Sequence, residues 1–305
     1  MRAGLKLGPV AKESNFTIFD VGARGGANSD FDLFASGSIW IGFEPDQEES
    51  ARVSSVALLG DFAEALVVNR ALGRSSAEVS LNLFSRGGSN SILSPQVDKA
   101  RVFDRAGYFQ PTGKAKVEVV PLDQIVKDLD LPSPSFVKLD VQGFEMEVLA
   151  GAVQALASSI IGLRVECYFQ PMYTNQPVFS DIETFLRGYG FSPFGFVELH
   201  EWRRDSLAKP PKRAGQSPRY SRGQLVHGDV IFFKSPEELI ADERDGAKLV
   251  NLGLALAAYE HYDAAHRCFS SAPVVDFLSE NLTSFSLSVI KKLSRRRLVR
   301  RLGLP

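Results

Sequence analysis

The chain has 305 residues, 44% of them hydrophobic and 23% charged, and a formal net charge of -1. That length fits one large domain or a domain with an attached segment, and the composition is ordinary for a soluble globular chain. The near-zero charge excludes a whole-chain electrostatic argument for nucleic acid or an anionic membrane.

The two cysteines, Cys167 and Cys268, form no CxxC or Cys/His ligand spacing. This argues against a disulfide scaffold and a structural zinc site, and for a reducing, cytoplasmic setting. The opening MRAGLKLGPV holds no signal-type apolar core, and no run reaches the ~18 apolar residues of a membrane span.

In chain order, apolar runs occur at 16–20, 39–43, 65–68, 136–139, 160–165 and 230–233. Short runs rich in Val, Ile and Phe, separated by longer amphipathic segments, predict an α/β fold with a mainly parallel sheet and helices on both faces. Residues 78–84 and 115–120 alternate as half-exposed strands would, and are read as a hairpin-like insertion before the strand at 136–139. Residues 145–156 carry Met146, Leu149, Val153 and Leu156 on one face and predict a single helix.

Residues 202–222 combine Pro210, Pro211 and Pro218 with seven Lys/Arg and one acid, Asp205, and read as a surface loop. From 237 onward the pattern is helical. AKLVNLGLALAAYEHYDAAHRCFSSA looks like one tetratricopeptide-type helical hairpin, with no second copy, that packs on the main domain. The final KKLSRRRLVRRLGLP is a basic amphipathic tail. The expected division is a main domain over 1–235 and a helical C-terminal segment over 236–305.

FTIFDVGARGG, residues 16–26, ends a strand in Asp20-x-Gly22 with a second glycine at Gly26. Gly22 and Gly26 permit positive φ and close backbone approach, and a helix beginning near Ser29 would present free N–H groups to an anion. The dinucleotide pattern G-x-G-x-x-G is not met, because Arg24 stands where its second glycine would be. Asp20 would repel a phosphate and welcome an ammonium. Glu44 ends the second strand, ~20 residues beyond the glycines, placed to accept hydrogen bonds from ribose hydroxyls. A ligand with adenosine, an ammonium and a carboxylate is S-adenosylmethionine.

SFVKLDVQGFEMEVLAGA, residues 135–152, resembles the fourth-strand motif of the FkbM-type methyltransferases, which use S-adenosylmethionine. FDVGARGG, IGFEPD and VECYFQPMYTNQPVFSDIETFLRGYGF match that family in the same order. NRALGRSSAEVSLNLFSRGGSNSIL and PLDQI complete the pattern over roughly residues 15–235. The resemblance implies a class I methyltransferase fold with a seven-stranded sheet and methyl transfer, most often to a hydroxyl oxygen. It assigns Asp20, Gly22, Ala23 and Gly26 to the methionine end of the cofactor, Glu44 to the ribose, Asn69 and Ala71 to the adenine, and Asp140 to the neighbourhood of the sulfonium. The family's turn usually has Asn where this chain has Arg24, so Arg24 is counted with the cofactor residues as a departure.

For an alcohol acceptor a general base is needed, and the candidates are Asp140, Glu166 and His227, with Glu145 behind them. Each has a plainer reading: Asp140 capping the turn 141–143, Glu166 paired with Arg164 or Lys138, His227 a hydrogen-bonded core or surface residue before the last strand. Ser89, Asn90 and Ser91, in a polar glycine loop, would form a lip over the site, or simply a solvent turn. Tyr168, Gln170 and Tyr173 would line an acceptor pocket, or belong to the core.

No metal constellation is evident among the four histidines. The expected partner is a small-molecule or glycan acceptor, with no nucleic acid, at most peripheral membrane contact through the tail, and room for a homo-oligomer. A catalytically inactive binding or scaffold protein is the alternative, and a nicotinamide dehydrogenase is disfavoured by Asp20 and Arg24.

Overall fold

Alternation along the central strands decides the layering. In β1 (Thr17–Val21), β2 (Ile39–Phe43) and β7 (Phe136–Leu139), Ile18, Trp40 and Phe136 point to one apolar cluster. Phe19, Ile41, Val137 and Leu139 point to another. Each face therefore needs its own cover, as period-two side-chain placement demands. The computed structural model describes residues 7–57, 61–204, 222–242 and 245–282, with 288 and 291. Most of the basic loop at 202–222 and of the tail at 291–301 lies outside the described residues.

The remaining strands are β3 (Glu64–Val68), β4 (Ala71–Leu72), β5 (Ala77–Phe84), β6 (Pro111–Val120), β8 (Gly162–Tyr168), β9 (Phe191–Trp202) and β10 (Gln224–Lys234). Seven form one sheet in the order β3-β2-β1-β7-β8-β10-β9, parallel except for β10, which runs antiparallel to both neighbours. This is the expected mainly parallel α/β sheet. The predicted insertion is a second sheet, β4-β6-β5, with β5 and β6 antiparallel.

The helices are α1 (Gly8–Glu13), α2 (Gln47–Ala57), α3 (Val97–Val102), α4 (Leu122–Asp128), α5 (Glu145–Ala150), α6 (Val153–Ser158), α7 (Phe179–Arg187), α8 (Pro236–Asp242), α9 (Gly246–Ala258), α10 (Tyr262–Phe269) and α11 (Ala272–Asn281). Leu149, Leu156, Ile182 and Leu186 of α5–α7 cover the second face. The first face is covered by the C-terminal helices, whose Leu249, Leu252, Leu256, Phe269 and Val274 join Phe16, Ile18 and Phe233 in one cluster. The helical hairpin α9–α10 packs on the sheet as its lone copy suggested. Among the described residues, no helix is long and apolar enough to cross a membrane.

Four local expectations are corrected. No α-helix starts near Ser29. Asn28 and Asp30 hydrogen-bond each other and the local backbone, which stabilises turns against helix. Asp30 is also drawn inward by Arg164 at 2.8 Å and by the Tyr259 hydroxyl of the C-terminal hairpin at 2.6 Å. The helix expected over 145–156 is two, α5 and α6, because Asp123 caps a second start through the N–H groups of Gln154 and Ala155 at 2.7 and 2.9 Å. The strand expected at 160–165 spans Gly162–Tyr168, with Glu166 inside it as expected, and β10 begins at Gln224, so His227, expected before the last strand, lies inside it. β9 was hidden by Pro193 and Gly195, which an edge strand with register shifts tolerates.

Candidate active site

The carboxyl ends of β1, β2 and β7 open onto a cavity of about 180 Å³, where open α/β sheets place their ligands. Val21 and Gly22 line it from β1, Phe43 and Glu44 from β2, and Asp140, Val141, Gln142 and Phe144 from the segment after β7. Arg70, Ala71, Leu72 and Leu81 come from the second sheet and its approach, and Gly87, Gly88, Asn90 and Ile92 from the loop after β5.

Gly22 has φ +81, and a Cβ there would stand 2.0 Å from the Asp140 carbonyl oxygen. Only glycine lets the β1 and β7 turns close on each other. Glu44 is buried, and its Oε1 accepts from the Asp46 N–H at 2.9 Å. Burial pushes its carboxyl up to about 7, which marks a group awaiting donors. Asn69 does not line the cavity. Its Nδ2 donates to the Glu44 and Pro45 carbonyls at 2.9 and 3.1 Å, fixing the end of β2.

Asp20 stands behind the cavity wall, where Lys138 Nζ lies 2.9 Å from its Oδ1. The ammonium that Asp20 was expected to welcome is therefore the chain's own. Burial works against the Lys138 ammonium, but the charges of Asp20 and Asp140 outweigh it and hold its pKa above the ordinary lysine value. Ala23 and Gly26 complete the turn without lining the cavity. Arg24 does line it, and its guanidinium is held by Asp46 at 2.9 Å and Glu49 at 3.9 Å. A Cβ on Gly87 would lie 2.5 Å from Arg24 Nη1, so that glycine lets the lip come down over the arginine.

Beside the cavity lies a packed polar network centred on Gln142, a residue the sequence reading did not single out. Its Nε2 donates to Asp140 Oδ1 and Glu166 Oε2, both at 2.8 Å. Its Oε1 accepts from the Tyr168 and Tyr173 hydroxyls, both at 3.2 Å. Two carboxylates on one side and two hydroxyls on the other fix the amide's orientation and leave no polar atom of it unmet. Gln142 pays in backbone strain, with φ +55. The one signal available in advance was Gln142-Gly143 directly after a strand-ending acid.

The turn 141–143 is capped by Glu145, not Asp140. Glu145 Oε1 accepts from the Val141 and Gly143 N–H groups at 3.1 Å each. Asp140 is thereby left facing the cavity. Burial and the neighbouring Glu166 charge hold the Glu145 carboxyl up at about 8.

Glu166 pairs with neither Arg164 nor Lys138. Arg164 is taken by Asp30 and Asp229, and Glu166 Oε1 lies 3.0 Å from His227 Nδ1. Burial raises the Glu166 carboxyl and lowers the His227 imidazole, each towards its uncharged form. His227 stacks on Tyr168 at 5.1 Å and on His200 at 4.3 Å between centroids.

The lip is anchored, and its serines turn inward. The Ser91 hydroxyl donates to the Gln142 carbonyl at 2.7 Å, and the Ser89 carbonyl lies 3.1 Å from the Tyr173 hydroxyl. Asn90 Oδ1 accepts from the Phe84 N–H at 2.9 Å while the residue borders the cavity. Tyr168 and Tyr173 are buried beside the cavity without lining it, and Gln170 lies outside it too.

Residues 20–193, more than half of the chain, match the Methyltransferase FkbM domain family. The chain belongs to the FkbM methyltransferase family. Solved structures similar to this FkbM-family chain include methyltransferase FkbM from Methylobacillus flagellatus KT, at 14% identity and TM-score 0.40, over 72% of this chain and 44% of that one. Magnesium protoporphyrin IX methyltransferase from Synechocystis PCC 6803, solved with bound SAM, has 14% identity and TM-score 0.35, over 74% of this chain and 73% of that one. A putative precorrin-6Y C5,15-methyltransferase domain from Corynebacterium diphtheriae has 13% identity and TM-score 0.31, over 75% and 92%. This chain spans less than half the length of the first of these. No curated protein matches it.

S-adenosylmethionine is the cofactor of this FkbM methyltransferase domain, and the cavity's donor set fits it. The buried Glu44 carboxyl offers two acceptor oxygens for vicinal hydroxyls, and Phe43, Ala71 and Leu72 offer apolar surface for a base. Arg24 offers a guanidinium suited to a carboxylate.

Proposed function

We propose that the protein transfers a methyl group to a hydroxyl oxygen of a sugar, glycolipid or secondary metabolite. The observation that supports this most is the Asp140 carboxylate, bordering the same cavity as Glu44 and held at 2.8 Å by Gln142 Nε2. An alcohol, unlike a neutral amine, must lose its proton as it attacks, and a carboxylate fixed at the cavity wall suits that task.

When bound, the cofactor supplies an electrophilic methyl on a sulfonium. On the protein side, Asp140 accepts the hydroxyl proton as the oxygen forms its bond to carbon. Gln142 keeps the accepting oxygen aimed at the cavity. The Gly87–Gly88 lip with Asn90 borders the site against water, and alignment of acceptor with methyl contributes a large share of the rate. Glu166 and His227 stand beyond Gln142, whose Nε2 ties the Glu166 carboxyl to that of Asp140. We also propose a cytoplasmic setting, which the free cysteines Cys167 and Cys268 support.

The test has two parts. Calorimetry with S-adenosylhomocysteine should show binding, and mass spectrometry should then detect a methylated hydroxyl in a panel of glycan, glycolipid and polyketide alcohols. Cofactor binding without transfer to any hydroxyl, or transfer to nitrogen alone, would overturn the oxygen reading. Binding with no transfer at all would favour a scaffold role.

A further inference from the structure

Next to the cavity lip lies a group of arginines that the methyl-transfer chemistry does not use. Arg86 immediately precedes Gly87 and Gly88, and its guanidinium carbon sits 4.2 Å from the Tyr108 ring centre. Arg105 sits 5.3 Å from the same ring and 5.8 Å from Trp202. Arg204 sits 5.5 Å from Phe103. The rings themselves pack edge to face, Trp202 with Phe103 at 5.9 Å and with Tyr108 at 6.2 Å.

Among the described residues, no ion pair joins Arg86, Arg105 or Arg204 to an acid. This contrasts with Arg24, Arg70, Arg74 and Arg164, each of which has a carboxylate partner. The hydrogen bonds these three arginines make are neutral. Arg105 Nη1 donates to the Asp104 carbonyl at 3.3 Å and Arg204 Nη2 to Gln224 Oε1 at 2.7 Å. Arg105 Nε is buried with no partner at all, an arrangement that costs free energy unless something else meets it.

Stacking engages the face of a guanidinium and leaves its in-plane N–H fork for an oxyanion. Arg86 and Arg105 lie against the same Tyr108 ring, and Arg204 against the Phe103 ring that packs on Trp202. Like charges brought to linked rings repel each other, and an anion between them would offset that cost. The patch also adjoins the network of the site. Trp202 meets the His227 ring at 5.5 Å, and His227 is hydrogen-bonded to Glu166.

We propose that Arg86, Arg105 and Arg204, on their floor of Tyr108, Trp202 and Phe103, form an acceptor subsite that binds an oxyanion, so that the acceptor carries a phosphate or carboxylate group. The identification of the ligand with the methyl acceptor rests on the methyltransferase reading, while the anion site itself does not.

Trp202 is one of two tryptophans, and the other, Trp40, is buried in the opposite cluster, so Trp202 serves as a local reporter. The full chain is titrated with inorganic pyrophosphate and with malonate, with and without S-adenosylhomocysteine, and tryptophan fluorescence is read, with Trp202→Phe as the signal control. A saturable change is expected with at least one anion, and the stronger of the two identifies phosphate or carboxylate as the group. Arg86→Gln combined with Arg105→Gln should weaken binding by about tenfold or more. Arg105→Lys, which keeps the charge but not the stacked fork, should weaken it by about threefold.

Unfolding midpoints of each variant establish that it is folded, and the exposed Arg86→Gln and Arg204→Gln singles replace the double if it is not. No saturable change with either anion, or unchanged affinity in the variants, overturns the subsite. Anion binding without any binding of S-adenosylhomocysteine would instead remove the methyltransferase reading and leave the subsite standing.

Discussion

The two halves of the site are built on opposite terms. The half formed by β1 and β2 is a cavity walled by backbone, apolar side chains, the Arg24 and Arg70 side chains and one buried carboxyl, Glu44, left with acceptor capacity to spare. The half beyond β7 is closed. Gln142 ties Asp140, Glu166, Tyr168 and Tyr173 together with four hydrogen bonds, and Glu145 and His227 complete the packing. The first half is shaped to receive a ligand's hydrogen bonds, and the second has already spent its own on holding one carboxylate in place. Binding and chemistry are thus expected to fail separately when each half is damaged.

The sharpest test of that separation is Asp140→Asn. Methyl transfer should fall by about 10²–10⁴-fold while the dissociation constant for S-adenosylhomocysteine moves by less than about threefold. A parallel loss of binding would show that the halves are one unit. On the other side, Glu44→Ala should weaken S-adenosylhomocysteine by about 100-fold in calorimetry, from two lost hydrogen bonds to a carboxylate. Unchanged affinity would remove Glu44 from the binding half.

Gln142→Glu places a third carboxylate between Asp140 and Glu166, and urea unfolding should register about 2–3 kcal/mol of destabilisation. An equally stable variant would mean that the network does not order the closed half.

Two smaller effects follow from pH. Glu44 is held up at about 7 in the folded protein, and a ligand that donates to it favours the ionised form. Affinity for S-adenosylhomocysteine should therefore rise about tenfold from pH 6 to pH 8, and this dependence should vanish in Glu44→Gln. A flat wild-type profile would contradict the assignment.

Glu145, held up at about 8, binds a proton in the folded state that the unfolded chain has released above its ordinary value. Its contribution is thus present at low pH and lost as pH rises towards 8. Glu145→Gln keeps an oxygen for the Val141 and Gly143 N–H groups. It should unfold a few degrees above the wild type at pH 8.5, on the order of 1 kcal/mol, with the gain smaller at pH 5.5 and gone at about pH 4. A gain independent of pH would point to packing instead.

Much of the receiving half was legible in the sequence because it is local. A strand, its turn and the acid at the next strand's end are fixed by short-range patterns, and Gly22 and Glu44, singled out on those patterns, both border the cavity. Ala71 borders the same cavity, while Asn69, two residues away, turns back to hold β2. The closed half was named only in part. Asp140 and Glu166 were visible as acids at the end of one strand and inside another. Their partners were misread, because hydrogen bonding across 24 to 61 residues leaves no periodic trace. Ser89 and Ser91 read as ligand donors by type, but burial turned them inward.

The chain by itself determined its fold class, its cofactor and its family, since strand periodicity, glycine turns and ordered motifs are written in neighbouring residues. Tertiary structure decided who pairs with whom. It gave Asp20 to Lys138 and Glu166 to His227, made Gln142 the centre of the site, and set the C-terminal helices over the face that residues 22–37 leave without an α-helix. The physical reason is that buried charge and hydrogen-bonding capacity are settled by the nearest partner in space, and only the packed sheet fixes which partner that is.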